Sequence, residues 1–240
     1  MNVKLKEEII NLYEEKLKLL DNNYCSNCNP QIKYPLLPWH VGKDFLKNEF
    51  RIMFIGKPHR GKPGKITNGK YIDSQNLSKK LFFEKNKWAY WAYTRKIATS
   101  IFNSKIKAWN NIAITNLIKC TNTCSDGNSN DKTTFNMAQN CVENNATIFE
   151  EIQMIKPFIV VFYTWNLYRN ILKDLPDYFN LIEEKTSINN RIKCGNKNIG
   201  WWDRVYKVPW TSQLKFLVVS HPGRKKKEEY TKLISNWIHE

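Results

Sequence analysis

Four short apolar runs, separated by stretches of helical spacing, constrain the fold of this chain more than any other feature. They are residues 51–56, 112–118, 157–163 and 214–220, each of strand length and closed by a glycine or a polar residue. Apolar runs without alternation describe strands buried on both faces. Strands that alternate with helices predict a parallel sheet with helices on either side. The expected fold is therefore α/β: a three-layer α/β/α sandwich around a central, mainly parallel four-stranded sheet.

Helical spacing is read at 3–20, where Ile9, Ile10, Leu12, Tyr13, Leu17 and Leu20 fall among Glu and Lys, and again at 74–102, 136–155, 166–172 and 225–238. Residues 173–209 read as irregular, with no role assigned to the Gly200-Trp201-Trp202-Asp203 segment. With no long linker and no repeat, residues 1–240 are expected to form one domain that includes the opening helix. The longest apolar run, near Phe158 to Trp165, is too short to span a bilayer, and nothing resembles a signal peptide, so a cytoplasmic location is expected.

In parallel α/β sheets, sites form at the carboxyl ends of strands. Three strand ends here carry residues of chemical interest: Gly56, Lys57 and His59 after the first, Asn116 at the second, and His221-Pro222 after the fourth. A loop of Gly, Pro and Lys runs from 57 to 70 in the position of an active-site loop. His221 stands next to Arg224, Lys225, Lys226 and Lys227, cations that oppose the dipole of the helix they precede. The formal charge of +16 points to a polyanionic partner, although a Lys- and Asn-rich background composition would also raise it. Asn116 could read the edge of a pyrimidine, or simply end its strand in a turn. The aromatic run 88–93 is read as core packing rather than a base-stacking platform.

Six cysteines in an intracellular chain point to metal or cluster chemistry rather than to disulfides. Cys25 and Cys28 form a Cys-x-x-Cys pair that can face one ion across a tight turn. Cys120, Cys124 and Cys141 are candidates to complete the site, and Cys194 stands apart. By spacing alone, structural zinc and an iron-sulfur cluster are both open.

The order of these pieces resembles the uracil-DNA glycosylase superfamily, in particular its iron-sulfur branch, families 4 and 5. The resemblance runs across nearly the whole chain: Cys25-x-x-Cys28, the strand and glycine Phe54-Ile55-Gly56, Thr115-Asn116-Leu117-Ile118-Lys119-Cys120, then Cys141 ahead of a helix leading to Ile155-Lys156-Pro157, and Val219-Ser220-His221-Pro222. It implies a [4Fe-4S] cluster on Cys25, Cys28, Cys120 and Cys141, with Cys124 a substitute for Cys120 and zinc the alternative. It also implies a monomeric DNA N-glycosylase of a prokaryote or phage, nucleoid-associated, that flips out and excises uracil or a modified pyrimidine.

In that scheme His221 bonds the departing base and Asn116 reads it. Gly56, Lys57 and Tyr71 shape the pocket, and Arg224, Lys225 and Lys226 meet the DNA. Two departures stand out. The family carries an acidic or amide residue after the glycine of the first motif to orient water, where this chain has Lys57, so His59 and Asp73 are the substitutes considered. Gly223 stands where the family usually has serine. The lost carboxylate also leaves a catalytically inactive DNA-binding or damage-sensing module as the alternative.

Overall fold

The computed structural model describes residues 1, 3–16, 36–57, 65–67, 71–84, 88–119, 141–142, 147–165 and 179–240. Among these the chain is α/β, with six α-helices and an eight-stranded mixed sheet. All four expected strands are present: β2 (Ile52–Gly56), β5 (Ile112–Asn116), β6 (Ile159–Phe162) and β10 (Thr211–Val219). They lie side by side in the order β5-β2-β6-β10, and every neighbouring pair is parallel.

The expectation of a mainly parallel four-stranded sheet is corrected at both edges. The two-residue β1 (His40–Val41) pairs antiparallel with β5. On the other side β9 (Lys197–Val208) runs antiparallel to β10 and carries β7 (Asn180–Glu184) and β8 (Arg191–Cys194). Residues 180–208, read as irregular, are thus largely strand. Their pattern hid them: β7 is exposed at all five positions, while Gly200, Trp201, Trp202 and Asp203 of β9 are all buried. Neither shows the alternation that marks a strand with one wet face. A separate hairpin, β3 (Lys65–Thr67) and β4 (Tyr71–Asp73), follows β2.

Residue parity along the central strands sorts two cores. Met53, Ile55, Val160, Phe162, Phe216 and Val218 point to the face covered by α1 (Val3–Lys16) and α5 (Thr147–Ile155). Ile52, Phe54, Ile114, Val161, Leu217 and Val219 point to the opposite face, which is covered by α2 (Gln75–Phe83), α3 (Ala89–Phe102), α4 (Lys105–Asn111) and α6 (Lys227–His239). The helical spacing read across 74–102 is therefore two helices, and the expected helix 166–172 lies outside the described residues. No helix among the described residues is long and apolar enough to cross a membrane.

The Gly200 segment now has a structural account. A Cβ at Gly200 would overlap the Trp165 indole, so only glycine lets β9 pass that ring. Asp203 is buried and satisfied, accepting from Thr186 Oγ1 at 2.8 Å and from Trp237 Nε1 at 2.9 Å, which ties β9 to α6. Replacing Gly200 with Ala should overpack this contact and cost about 1–3 kcal/mol. The check is a lower urea midpoint at unchanged slope.

His40 is stacked on Trp109 with centroids 3.4 Å apart, and its Nε2–H donates to the Trp109 carbonyl at 2.5 Å. Burial brings its pKa down from 6.5 to about 3, more than the Trp109 bond can offset. The unfolded chain then binds a proton that the folded chain refuses. Stability is complete above pH 6.5 and falls as the pH drops toward 3. In His40→Gln, urea midpoints measured from pH 7 to pH 4 should decline less steeply than in the parent.

Candidate functional site

The parallel arrangement brings the carboxyl ends of β5, β2, β6 and β10 to one edge of the sheet. Gly56 pairs with Asn116 in register, and Tyr163 donates its N–H to the Ile55 carbonyl at 2.9 Å, so the three ends are level. Three strand spacings of about 4.8 Å, about 14 Å in all, separate β5 from β10, and His221 lies two residues beyond Val219, the β10 residue level with Asn116. That is room for a base ring held between two side chains.

Asn116 is 4% exposed, and its Nδ2 has no hydrogen-bond partner among the described residues. A buried amide donor without a partner costs about 1–3 kcal/mol, which makes it the clearest sign of a ligand position on this edge. Its Oδ1 lies 3.2 Å from where a Cβ on Gly56 would stand, and the Tyr90 ring lies 2.8 Å from the same point. Glycine is thus required at 56 because Tyr90 crosses over it, its hydroxyl donating to the carbonyls of Thr115 at 3.2 Å and Phe54 at 3.4 Å.

Tyr90, half-buried, opens a run of phenols across the edge that continues through the buried Tyr163, Tyr230 and Tyr93: Tyr90 to Tyr163 at 5.6 Å, Tyr163 to Tyr230 at 6.4 Å and Tyr230 to Tyr93 at 5.5 Å. Burial raises the pKa of Tyr90, Tyr163 and Tyr230, so these three remain protonated donors at neutral pH. Two hydroxyls of this run hold the loop after β10: Tyr230 donates to the Ser220 carbonyl and Tyr93 to the Lys225 carbonyl, both at 2.6 Å. The aromatic run 88–93 is core packing as expected, with Trp91 2% and Tyr93 9% exposed, while Trp88 stays 53% exposed. Sequence reading missed that the phenol tips tether the strand ends.

His221 is held by its own loop. Gly223 N–H donates to His221 Nδ1 at 3.1 Å, so in the neutral ring the hydrogen resides on Nε2. A Cβ at Gly223 would lie 3.1 Å from that Nδ1, and the glycine that departs from the family pattern keeps this contact uncrowded. Arg224, the next residue, is exposed and has a φ of 63°, a left-handed conformation that costs a non-glycine residue roughly 1–2 kcal/mol.

The other expected site residues fall elsewhere. Tyr71 is 9% exposed within the core on the α1 face, opposite the face of Gly56 and Asn116, with the Lys6 ammonium 5.9 Å from its ring. Asp73 receives Lys6 Nζ at 2.6 Å and Gln75 N–H at 3.0 Å. Partial burial would raise its carboxyl, but the Lys6 hydrogen bond and charge with the Gln75 N–H outweigh burial and hold it below the usual range. Lys57 is half-buried beside Gly56. His59 lies outside the described residues, as do Cys25, Cys28, Cys120 and Cys124.

Cys141 is described: it is 6% exposed in the core on the α1 and α5 face, beside Lys119, whose pKa burial lowers and Glu151 and Cys141 only partly restore. Lys119, the residue before Cys120, is fully buried. Its Nζ donates to Thr115 Oγ1 at 2.9 Å and to the Asn116 carbonyl at 2.8 Å, and it pairs with the fully buried Glu151. Glu151 also accepts from Tyr13 of α1 at 2.9 Å. The Lys119 carbonyl accepts from Leu36 N–H at 2.8 Å, eight residues after Cys28. Leu36 is therefore placed at the Lys119 backbone and Cys141 near its ammonium. Cys194 is buried in β8 on the opposite face, apart from this group.

Breaking the Lys119–Glu151 pair from one side strands a buried charge, so Lys119→Met should cost about 3–5 kcal/mol. Lys119→Met with Glu151→Leu should recover most of that loss. Chemical denaturation of both variants is the check, and equal losses would show that the charge pair is not the source.

In comparisons with known proteins, no family model matches the chain and no curated protein is similar to it.

Proposed function

We propose that this protein is a DNA N-glycosylase that flips a pyrimidine, uracil or a modified derivative, into the edge between Asn116 and His221 and hydrolyses its N-glycosidic bond. The observation that carries the reading is the buried Asn116 amide, whose Nδ2 has no partner among the described residues, on the same sheet edge as a loop-locked histidine. An asparagine amide offers one donor and one acceptor, the complement of the edge a pyrimidine presents once it leaves the duplex.

Cleavage places negative charge on the leaving base and positive charge on the sugar. His221, carrying its hydrogen on Nε2, donates to the developing base anion without changing its own protonation state. Tyr90 supports the floor beneath the base, the part first assigned to Tyr71. Water is oriented from the loop after Gly56. Asp73 is already engaged by Lys6 and Gln75, which favours His59 for that task.

The donor set fits a [4Fe-4S] cluster held by Cys25, Cys28, Cys120 and Cys141, in so far as Cys141 is buried beside Lys119. When bound, such a cluster would staple segments together and take no part in bond cleavage. Zinc on the same thiolates is the alternative, and iron and sulfide content of the purified protein decides between them.

The test is release of abasic sites from oligonucleotides carrying uracil, hypoxanthine or bulky cytosine derivatives. His221→Ala should lower turnover by roughly 10²–10³-fold, the usual contribution of a preorganised hydrogen-bond donor to a developing anion, with DNA affinity retained. DNA binding with no release of any base would instead support a damage-sensing module, a reading favoured by Lys57 in the place of a carboxylate.

A further inference from the structure

We propose that the β8–β9 hairpin is a second phosphodiester-binding element, gripping the DNA backbone beside the His221 loop. The inference rests on the reading of the chain as a DNA-binding protein, and concerns the added strands rather than the four at the centre of the sheet.

The geometry begins with β9. Because it runs antiparallel to β10, its amino end lies past the carboxyl edge where the candidate site stands. Gly200 and Ser220 are level, locked by Ser220 N–H to the Gly200 carbonyl at 3.0 Å and Gly200 N–H to Ser220 Oγ at 2.8 Å. From Gly200 the strand continues three residues outward to Lys197, a reach of about 10 Å beyond the edge at 3.3 Å per residue. The hairpin turns at Gly195, whose φ of 60° favours glycine and whose Cα packs against the Glu229 carboxylate of α6. Ile192 and Cys194 anchor the hairpin against the α6 face, and alternation turns Arg191 and Lys193 to the other face, where Lys193 is exposed and the Arg191 guanidinium lies 5.3 Å from the Trp165 ring. Lys197 Nζ donates to the Arg224 carbonyl at 3.0 Å, so hairpin and loop form one continuous surface.

That surface gathers Lys197, Arg224, Lys225, Lys226 and Lys227, while Lys193 adds an exposed cation on the other face of the same hairpin. The nearby acids are already engaged, Glu228 with Lys96 and Glu229 with Lys226. Partial burial and the Lys197 charge lower the Lys225 pKa, and partial burial with Arg95 and Lys96 does the same to Lys227. The fold thus holds like charges together at a cost, which a row of phosphates would relieve. Duplex DNA supplies one negative charge per about 1.7 Å of axis, dense enough to engage both hairpin and loop.

The experiment is equilibrium binding of the full chain to a duplex oligonucleotide across a salt series. Lys193→Gln with Lys197→Gln should lower the slope of log affinity against log salt by about one for each lost contact. Lys105→Gln with Lys107→Gln, exposed on α4 before the amino end of β5, should leave the slope unchanged. An unchanged slope in the hairpin variant, or an equal fall in both, overturns the proposal. If base release persists alongside that result, the glycosylase reading stands without the hairpin. Absence of DNA binding by the parent chain overturns both.

Discussion

The Lys119 ammonium, removed from water, is the interaction on which the described architecture turns. A buried cation survives only with strong partners, and this one takes Glu151, the Thr115 hydroxyl and the Asn116 carbonyl. Through Glu151 it reaches Tyr13, so α1, α5 and the end of β5 are fixed by one charge. It also decides the geometry of the candidate site, because the carbonyl it holds belongs to the residue whose amide is left unpartnered. A neutral side chain at 119 would pack there more cheaply, but it could not hold the strand end from three directions.

The opposite end of the same edge is held by different means. The His221 loop is held by hydrogen bonds from two phenols, one serine, the backbone of Gly200 and the Lys197 ammonium. Hydrogen bonds to backbone carbonyls restrain the loop's position without drawing on the side-chain chemistry of the residues they hold. The left-handed backbone at Arg224 fits this arrangement. A strained residue persists where its surroundings over-determine it, and the loop is restrained on both sides of that position.

The central strands were legible because burial on both faces leaves an unbroken apolar run of the right length, as at Ile52–Ile55 and Val160–Phe162. The order of those runs also placed Gly56, Asn116 and His221 at one edge before any coordinates. What escaped was governed by long-range contacts. β7 is exposed throughout, β9 is broken by a glycine that exists only to pass Trp165, and neither reason is local. Likewise Gly56 reads as the glycine that ends its strand, whereas the need for glycine there comes from Tyr90, 34 residues away in sequence. Tyr71 and Asp73 lie on β4, just past the expected loop, and their partner Lys6 lies on α1. The fate of four cysteines was read from their order with Asn116 and His221, and only Cys141 falls among the described residues.

The sorting of lysines bears on the alternative with which the charge began, a background composition against a polyanionic partner. A background effect would scatter lysines without regard to the fold. Several are instead absorbed by it: Lys119 by Glu151, Lys6 by Asp73, and Lys215 by the carbonyls of Trp237 and Ile238 at the carboxyl end of α6, where a cation complements the helix dipole. At the start of that same helix the sign is wrong for the dipole, with Lys225, Lys226 and Lys227 held close to other cations. Local stability would favour acids at this position, and Glu228 and Glu229 do stand in the first turn, but they are spent on Lys96 and Lys226. The unfavourable charge is concentrated on the edge that carries Asn116 and His221, which is where an anionic polymer would have to lie for those two residues to meet one of its bases.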